Sequence, residues 1–187
     1  MFSNLIIDDN ELELVEETKL LGVIMRSDLK WNSHVKYICK KSNTGLWMIR
    51  RLKKLGASST LLLDVYNKHV RSLLEYAVPA WGPNITKSNA NDLERVQKCA
   101  LSVIYGQGSY SLKLKSHDVQ SLEERRVKLY TKFAKKSAKH EVFTKWFAPK
   151  SDAFLTRSKQ AFKEVPARHQ FFKNSPIPTM THLLNAN

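Results

Sequence analysis

The run from Trp31 to Gly56 constrains the fold of this chain more than any other segment. Trp31, Val35, Ile38, Ser42, Gly45, Ile49 and Leu52 recur every three or four residues, and Gly56 follows the last of them. That period puts them on one face of an α-helix. A glycine just past the stripe is the residue best suited to turn the chain out of the helix. The opposite face carries Lys36, Lys40, Asn43, Trp47, Arg51 and Lys54. Between Trp31 and Leu55 stand seven Lys/Arg and no Asp or Glu. Such a helix must bury its apolar stripe under other elements, because propensity alone does not hold it. Its cationic side repels itself along its length and calls for an anionic partner.

The rest of the sequence supplies the covering elements. Leu5-Ile6-Ile7, a turn at Asp8-Asp9-Asn10 and the alternating Glu11–Glu16 predict an antiparallel hairpin. Lys19–Met25 predicts a third strand, with Gly22 marking a bulge or a close backbone approach. Ser58-Ser59-Thr60 offers an N-cap for a second helix that buries Leu62, Val65, Tyr66, Val70, Leu73, Leu74 and Ala77 and stops at Pro79. Trp81-Gly82-Pro83 reads as a turn. A third helix from about Ser88 to Ile104 turns Leu93, Val96, Ala100, Leu101 and Ile104 inward and breaks at Gly106-Gln107-Gly108. A short helix over 110–115 follows. Ser121 and Glu124 form a capping box for a fourth helix reaching about Lys139, with Leu122, Leu129 and Phe133 inward and seven basic residues. A short turn over 141–147 comes next. Beyond Pro149 the periodicity decays, and Arg157, Lys159, Lys163, Arg168 and Lys173 punctuate what reads as an extended basic tail. The expected fold is α+β and mainly helical: strands over 1–27, a bundle of about four helices within 28–149, and a tail over 150–187.

Charge narrows the partner. The net charge is +14, yet residues 1–17 hold six acids and no Lys or Arg, which leaves eleven of the 17 acids against all 31 bases in the remainder. A domain this basic favours a polyanion, most often nucleic acid. Within it, Lys36, Lys40, Lys41, Arg50, Arg51 and Lys54 are the candidate phosphate contacts, with Trp47 among them. Cations neutralise phosphates while an indole stacks on a base or sugar. Trp47 has a second reading, packing beneath a neighbouring helix with the lysines merely solvated.

Other chemistries find little support. Cys39 and Cys99 lack the spacing of a zinc knuckle or disulfide framework and are predicted to be small buried thiols of a reducing compartment. Asp8-Asp9 could suggest the paired aspartates of a two-metal site, but such a site needs a further carboxylate from another strand. An exposed turn is the expectation there. The histidines at 34, 69, 117, 140, 169 and 182 form no HxxxH, HExxH or His-x-Asp pattern, and surface or structural roles are expected. No phosphate-cradling glycine loop occurs. No catalytic residue, metal ligand or cofactor is therefore predicted. No apolar run reaches the roughly 18 residues of a membrane span, and the N-terminus lacks the pattern of a signal peptide. The expected location is intracellular, cytoplasmic or nuclear.

The order of short blocks carries a resemblance. Leu20-Leu21-Gly22-Val23, Trp31-x-x-His34, Ile38-Cys39-Lys40-Lys41 and Ile49-Arg50-Arg51-Leu52 resemble the segment that follows the palm of non-LTR (LINE-type) retrotransposon reverse transcriptases. Val65-Tyr66, Leu73-Leu74-Glu75-Tyr76-x-x-Pro79-x-Trp81, Leu93-Glu94-Arg95-Val96-Gln97, Leu122-Glu123-Glu124-Arg125-Arg126 and the closing Asn174-Ser175-Pro176-Ile177-Pro178 continue it over roughly 19–184. The resemblance implies a primer-grip strand at Leu21 and Gly22. It implies thumb helices that hold RNA or an RNA–DNA hybrid, and a C-terminal region that helps bind RNA. The family's catalytic aspartates lie well upstream of the Leu-Gly strand, on one palm strand and on an aromatic-x-Asp-Asp turn. Asp8-Asp9 lacks the aromatic and stands too close to Leu20. The implied protein is thus a truncated, catalytically inactive fragment.

The Lys19–Gly56 segment is also similar to a module named for the N-terminal region of an AlkB-homologue alkylation-repair and tRNA-modifying protein. The residues lack a dioxygenase's His-x-Asp pair and a glycine-rich nucleotide loop. The alternative function is a helical RNA-binding or protein-interaction adaptor. Strands fitted to an absent palm are expected to leave Leu12, Leu14, Leu21 and Val23 partly exposed or borrowed by the helices.

Overall fold

The computed structural model describes residues 6–8, 10–11, 13–143, 145–149 and 161–186. Leu5, Asp9, Leu12, Arg157 and Lys159 lie outside them. The chain is mainly helical with a small β component at its start. Strands β1 (Ile6–Ile7) and β2 (Asn10–Glu11) pair antiparallel, as do β3 (Glu17–Leu20) and β4 (Val23–Arg26).

This corrects the strand reading in two places. Residues 13–16 are not strand, and Lys19–Met25 is two strands joined by a turn. Leu20 pairs with Val23, and the two residues between them, Leu21 and Gly22, have φ of +46° and +85°. Left-handed angles at both central positions belong to the tight hairpin turn whose twist matches that of its strands. Gly22 is there for backbone conformation. The apolar run hides the turn because Leu21 fills a place that Asn or Gly usually takes. As expected, Leu14 and Leu21 are exposed, while Val23 is borrowed by the helical core and buried there.

Helix α1 (Asn32–Lys54) ends at Leu55, with Gly56 at φ +81°. Its stripe goes where the period sends it: Trp31, Val35, Ile38, Ser42, Gly45 and Ile49 are buried, joined by His34 and Leu46. The covering helix is α5 (Lys87–Tyr105), whose Leu93, Val96, Ala100, Leu101 and Ile104 meet it in the core. Between them the chain forms α2 (Ser59–Val65), a π-helical turn (Tyr66–Arg71) and α3 (Ser72–Glu75). The second helix therefore contains a wider turn that residue periodicity does not announce. Gly45 explains its position: a Cβ there would lie 2.6 Å from Val70 Cγ2 and 3.2 Å from the His69 carbonyl oxygen. The π turn brings its backbone against α1 where α1 has no side chain.

Pro79 does not end that helix. The break is at Ala77, in the left-handed region at φ +52°, and Pro79 sits in the first turn of α4 (Val78–Trp81), where a missing N–H removes no helical bond. A single 3₁₀ turn (Gly82–Asn84) leads on to α5. Helix α6 (Tyr110–Ser116) precedes α7 (Leu122–Ser137), which opens with the expected capping box of Ser121 and Glu124. The tail is not extended throughout. Helices α8 (Gln170–Lys173) and α9 (Pro176–Ala186) form within it, and Met180 is buried against Ala134 of α7 and Phe147. Prolines at 176 and 178 disguise α9, although the first turn of a helix has no intrahelical use for those N–H groups. The thiols also depart from expectation: Cys39 is half-buried, which pushes its pKa up to about 11, and Cys99 is exposed.

Candidate nucleic-acid interface

With one face of α1 buried under α5 and the π turn, the other must face water. Lys36, Lys40, Lys41, Arg50, Arg51 and Lys54 are all exposed, and Trp47 is 59% exposed, so it does not pack beneath a helix. From Lys36 to Lys54 the row extends about 27 Å at ~1.5 Å per residue. Lys41 stands off its line, about 100° around the helix from Lys40. No carboxylate among the described residues pairs with any of these six cations. The Arg51 guanidinium lies 5.8 Å from the centroid of the Trp47 ring, a cation–π distance that keeps the indole beside a charge and open to solvent. The seventh cation, Lys53, is used internally: its Nζ donates to the Ile104 carbonyl at 3.1 Å, near the end of α5.

The β3–β4 turn is fixed relative to this row by contacts the sequence did not advertise. His34, buried on α1, accepts the Ile24 N–H at its Nδ1 over 3.3 Å. Its ring meets Trp81 edge-on at 5.2 Å, and Nε2 has no hydrogen-bond partner. Burial lowers the His34 pKa, so the imidazole stays neutral with its proton on Nε2. The Tyr76 hydroxyl donates to the Leu21 carbonyl at 2.9 Å, and Lys19 Nζ reaches the Tyr37 hydroxyl of α1 at 2.9 Å. Leu21, 83% exposed, is thereby held out at the tip. The candidate residues fall into two groups: the cation–indole row along α1, and Leu21-Gly22 beside the N-terminal half of that helix.

Two further surfaces frame these. On α7 and just beyond it, Lys128, Lys132, Lys135, Lys136 and Lys139 are exposed, whereas Arg125 and Arg126 turn inward. Around α4, two adjoining apolar hollows of about 720 and 460 Å³ share Ala77, Ala80, Ser175 and Pro176. Leu20, Leu21, Leu29, Phe171, Phe172 and Trp146 form their lips. Among the described residues, no three of His, Cys, Asp or Glu stand together as a metal site requires, and no helix is long and apolar enough to cross a membrane. Comparison with protein-family models, curated proteins and solved structures gave no match.

Proposed function

We propose that this chain is the thumb-type, nucleic-acid-holding part of a non-LTR retroelement RNA-directed DNA polymerase, and that it grips RNA or an RNA–DNA hybrid without performing chemistry itself. The observation that carries the reading is the unpaired cation row of α1 with Trp47 exposed within it. A straight helix lined by Lys and Arg meets successive phosphates of one strand. Each neutralised phosphate releases counterions, and binding of this kind depends on backbone geometry and salt rather than on base sequence. Trp47 adds an apolar plate for a sugar or an unpaired base, worth ~1–3 kcal/mol where a base stacks. The apolar hollows around α4 and the exposed Leu21 are, on this reading, the surface that meets the polymerase palm.

The test is titration of the chain with a labelled RNA–DNA hybrid at two salt concentrations. Wild-type affinity should fall steeply with salt. The variant Lys40→Gln/Arg51→Gln/Lys54→Gln should bind more weakly and with a salt slope shallower by about 2–3, given ~0.9 per lost phosphate contact. An unchanged slope overturns the reading. Primer extension by the purified chain should be blank.

A further inference from the structure

The π-helical turn has a second consequence. Its Asn67 and Arg71 border a hollow of about 270 Å³ that opens between this turn, the loop after α6 and the start of α7. His117, Asp118, Gln120 and Arg125 complete its polar lining. Turns of this kind inside α-helices occur often at functional sites, because the widened backbone re-aims its side chains.

Three observations distinguish this hollow from a crevice between helices. Asn67 Oδ1 is buried beside the hollow and has no hydrogen-bond partner in the protein, an uncommon state for a buried acceptor. Two guanidinium groups share one carboxylate there. Arg125 bonds Glu75 through Nε and Nη2, and Arg71 approaches the same carboxylate only at 3.9 Å. Donors therefore exceed acceptors. His117 lies flat on Tyr105, with ring centroids 3.5 Å apart and planes 7° from parallel, which fixes the imidazole beside the opening. The next residue, Asp118, takes a left-handed φ of +51°.

A bare anion fits this lining poorly, because the Asp118 carboxylate would oppose it. A molecule with a phosphate at one end and hydroxyl or amino donors at the other fits both signs. We propose that the hollow binds one nucleotide unit carrying a terminal phosphate. Arg71, His117 and the Nη1 that Arg125 does not spend on Glu75 take the phosphate, while Asp118 accepts from the ribose hydroxyls or an exocyclic amine. The volume lies just below the ~300–1,000 Å³ of small-molecule sites, room for one nucleotide and not for a duplex. Naming the unit a nucleotide rests on the nucleic-acid reading of α1. The unit is either a free nucleoside monophosphate or the 5′-phosphorylated end of a strand.

The experiment measures binding of the full chain to a ten-nucleotide RNA bearing 5′-phosphate, to the same RNA with 5′-hydroxyl, and to adenosine monophosphate and guanosine monophosphate by calorimetry. A strand-end site gives about tenfold tighter binding of the phosphorylated RNA, the effect of roughly one charge-assisted hydrogen bond. A free-nucleotide site gives monophosphate binding with no difference between the RNAs. In either case Arg71→Gln and His117→Ala should abolish the effect and leave hybrid binding through α1 intact. His117 is exposed, so its variant keeps the fold should Arg71→Gln disturb it. Equal binding of the two RNAs together with no monophosphate binding overturns the proposal, and so does an effect that survives both substitutions. If hybrid binding persists in those cases, only this inference fails. If the hybrid also fails to bind, the reading of α1 falls with it.

Discussion

Helix α1 carries seven basic residues and α7 six, and the two use them differently. Over α1, six of the seven cations stand exposed with no carboxylate partner among the described residues, and Lys53 donates to a neighbouring helix. Over α7, Arg125 is locked to Glu75, and Arg126, 5% exposed, lies inside with no partner for its Nη1. Burial lowers the Arg126 pKa, while Glu94 and Glu123 work against that shift. The helix ends differ as well. α7 begins with Glu123, Glu124 and a capping box, whereas α1 has no acid in its first turn and no side-chain cap. Charge count alone therefore does not identify a binding face. What separates the two is that the fold brings a carboxylate to one cation of α7, Arg125, and to none of α1; the exposed lysines of α7 have no carboxylate partner among the described residues either.

The sharpest way to break this contrast is to remove the carboxylate. Glu75→Gln leaves Arg125 half-buried without its counter-charge and should cost about 3 kcal/mol, at the lower end for a broken internal pair. Urea unfolding measures it. The Lys40/Arg51/Lys54 variant should stay within ~0.5 kcal/mol of wild type, as surface changes do. Equal losses in the two variants would erase the distinction. Next in size is Gly45→Ala, expected to cost about 2 kcal/mol, since the added methyl meets Val70 and the His69 carbonyl; the same urea midpoint reports it. Ser121→Ala should cost about 1 kcal/mol through loss of the cap on α7, and should reduce amide-exchange protection over that helix's first turn.

A smaller effect belongs to α1 alone. His34 binds its proton less readily folded than unfolded, so the unfolded state takes up more protons as pH falls through the ordinary value of 6.5. Stability should be full above that value and decline below it, until the folded imidazole also protonates. His34→Gln, which can still accept from Ile24, should flatten this acid limb in melts from pH 7.5 to 5. An unchanged limb would assign the loss to other groups.

Local signals made much of this legible. The stripe of α1, the inward face of α5 and the Ser121–Glu124 box are each written within a few residues. The features that were not legible depend on partners far along the chain or on residues of unexpected type. Nothing near Arg125 announces Glu75, which lies fifty residues away. The π turn answers Gly45 on another helix, and α9 is masked by prolines placed where a helix tolerates them. At the candidate interface, the cations and Trp47 could be read from period alone. The anchoring roles of His34 and Tyr76 could not, since each reaches a backbone atom of a hairpin the sequence renders as one strand.

The Leu21–Gly22 turn carries one more implication. A leucine held in left-handed backbone angles and kept in water is locally frustrated twice, by conformation and by solvation. A chain shaped for stability alone would place Asn there, so Leu21→Asn should raise stability by a few tenths of a kcal/mol. Natural sequences keep such conflicts mainly where another requirement outweighs folding. On the proposed reading, the tip of this hairpin is a position where folding of the isolated chain and contact with a polymerase palm want different residues.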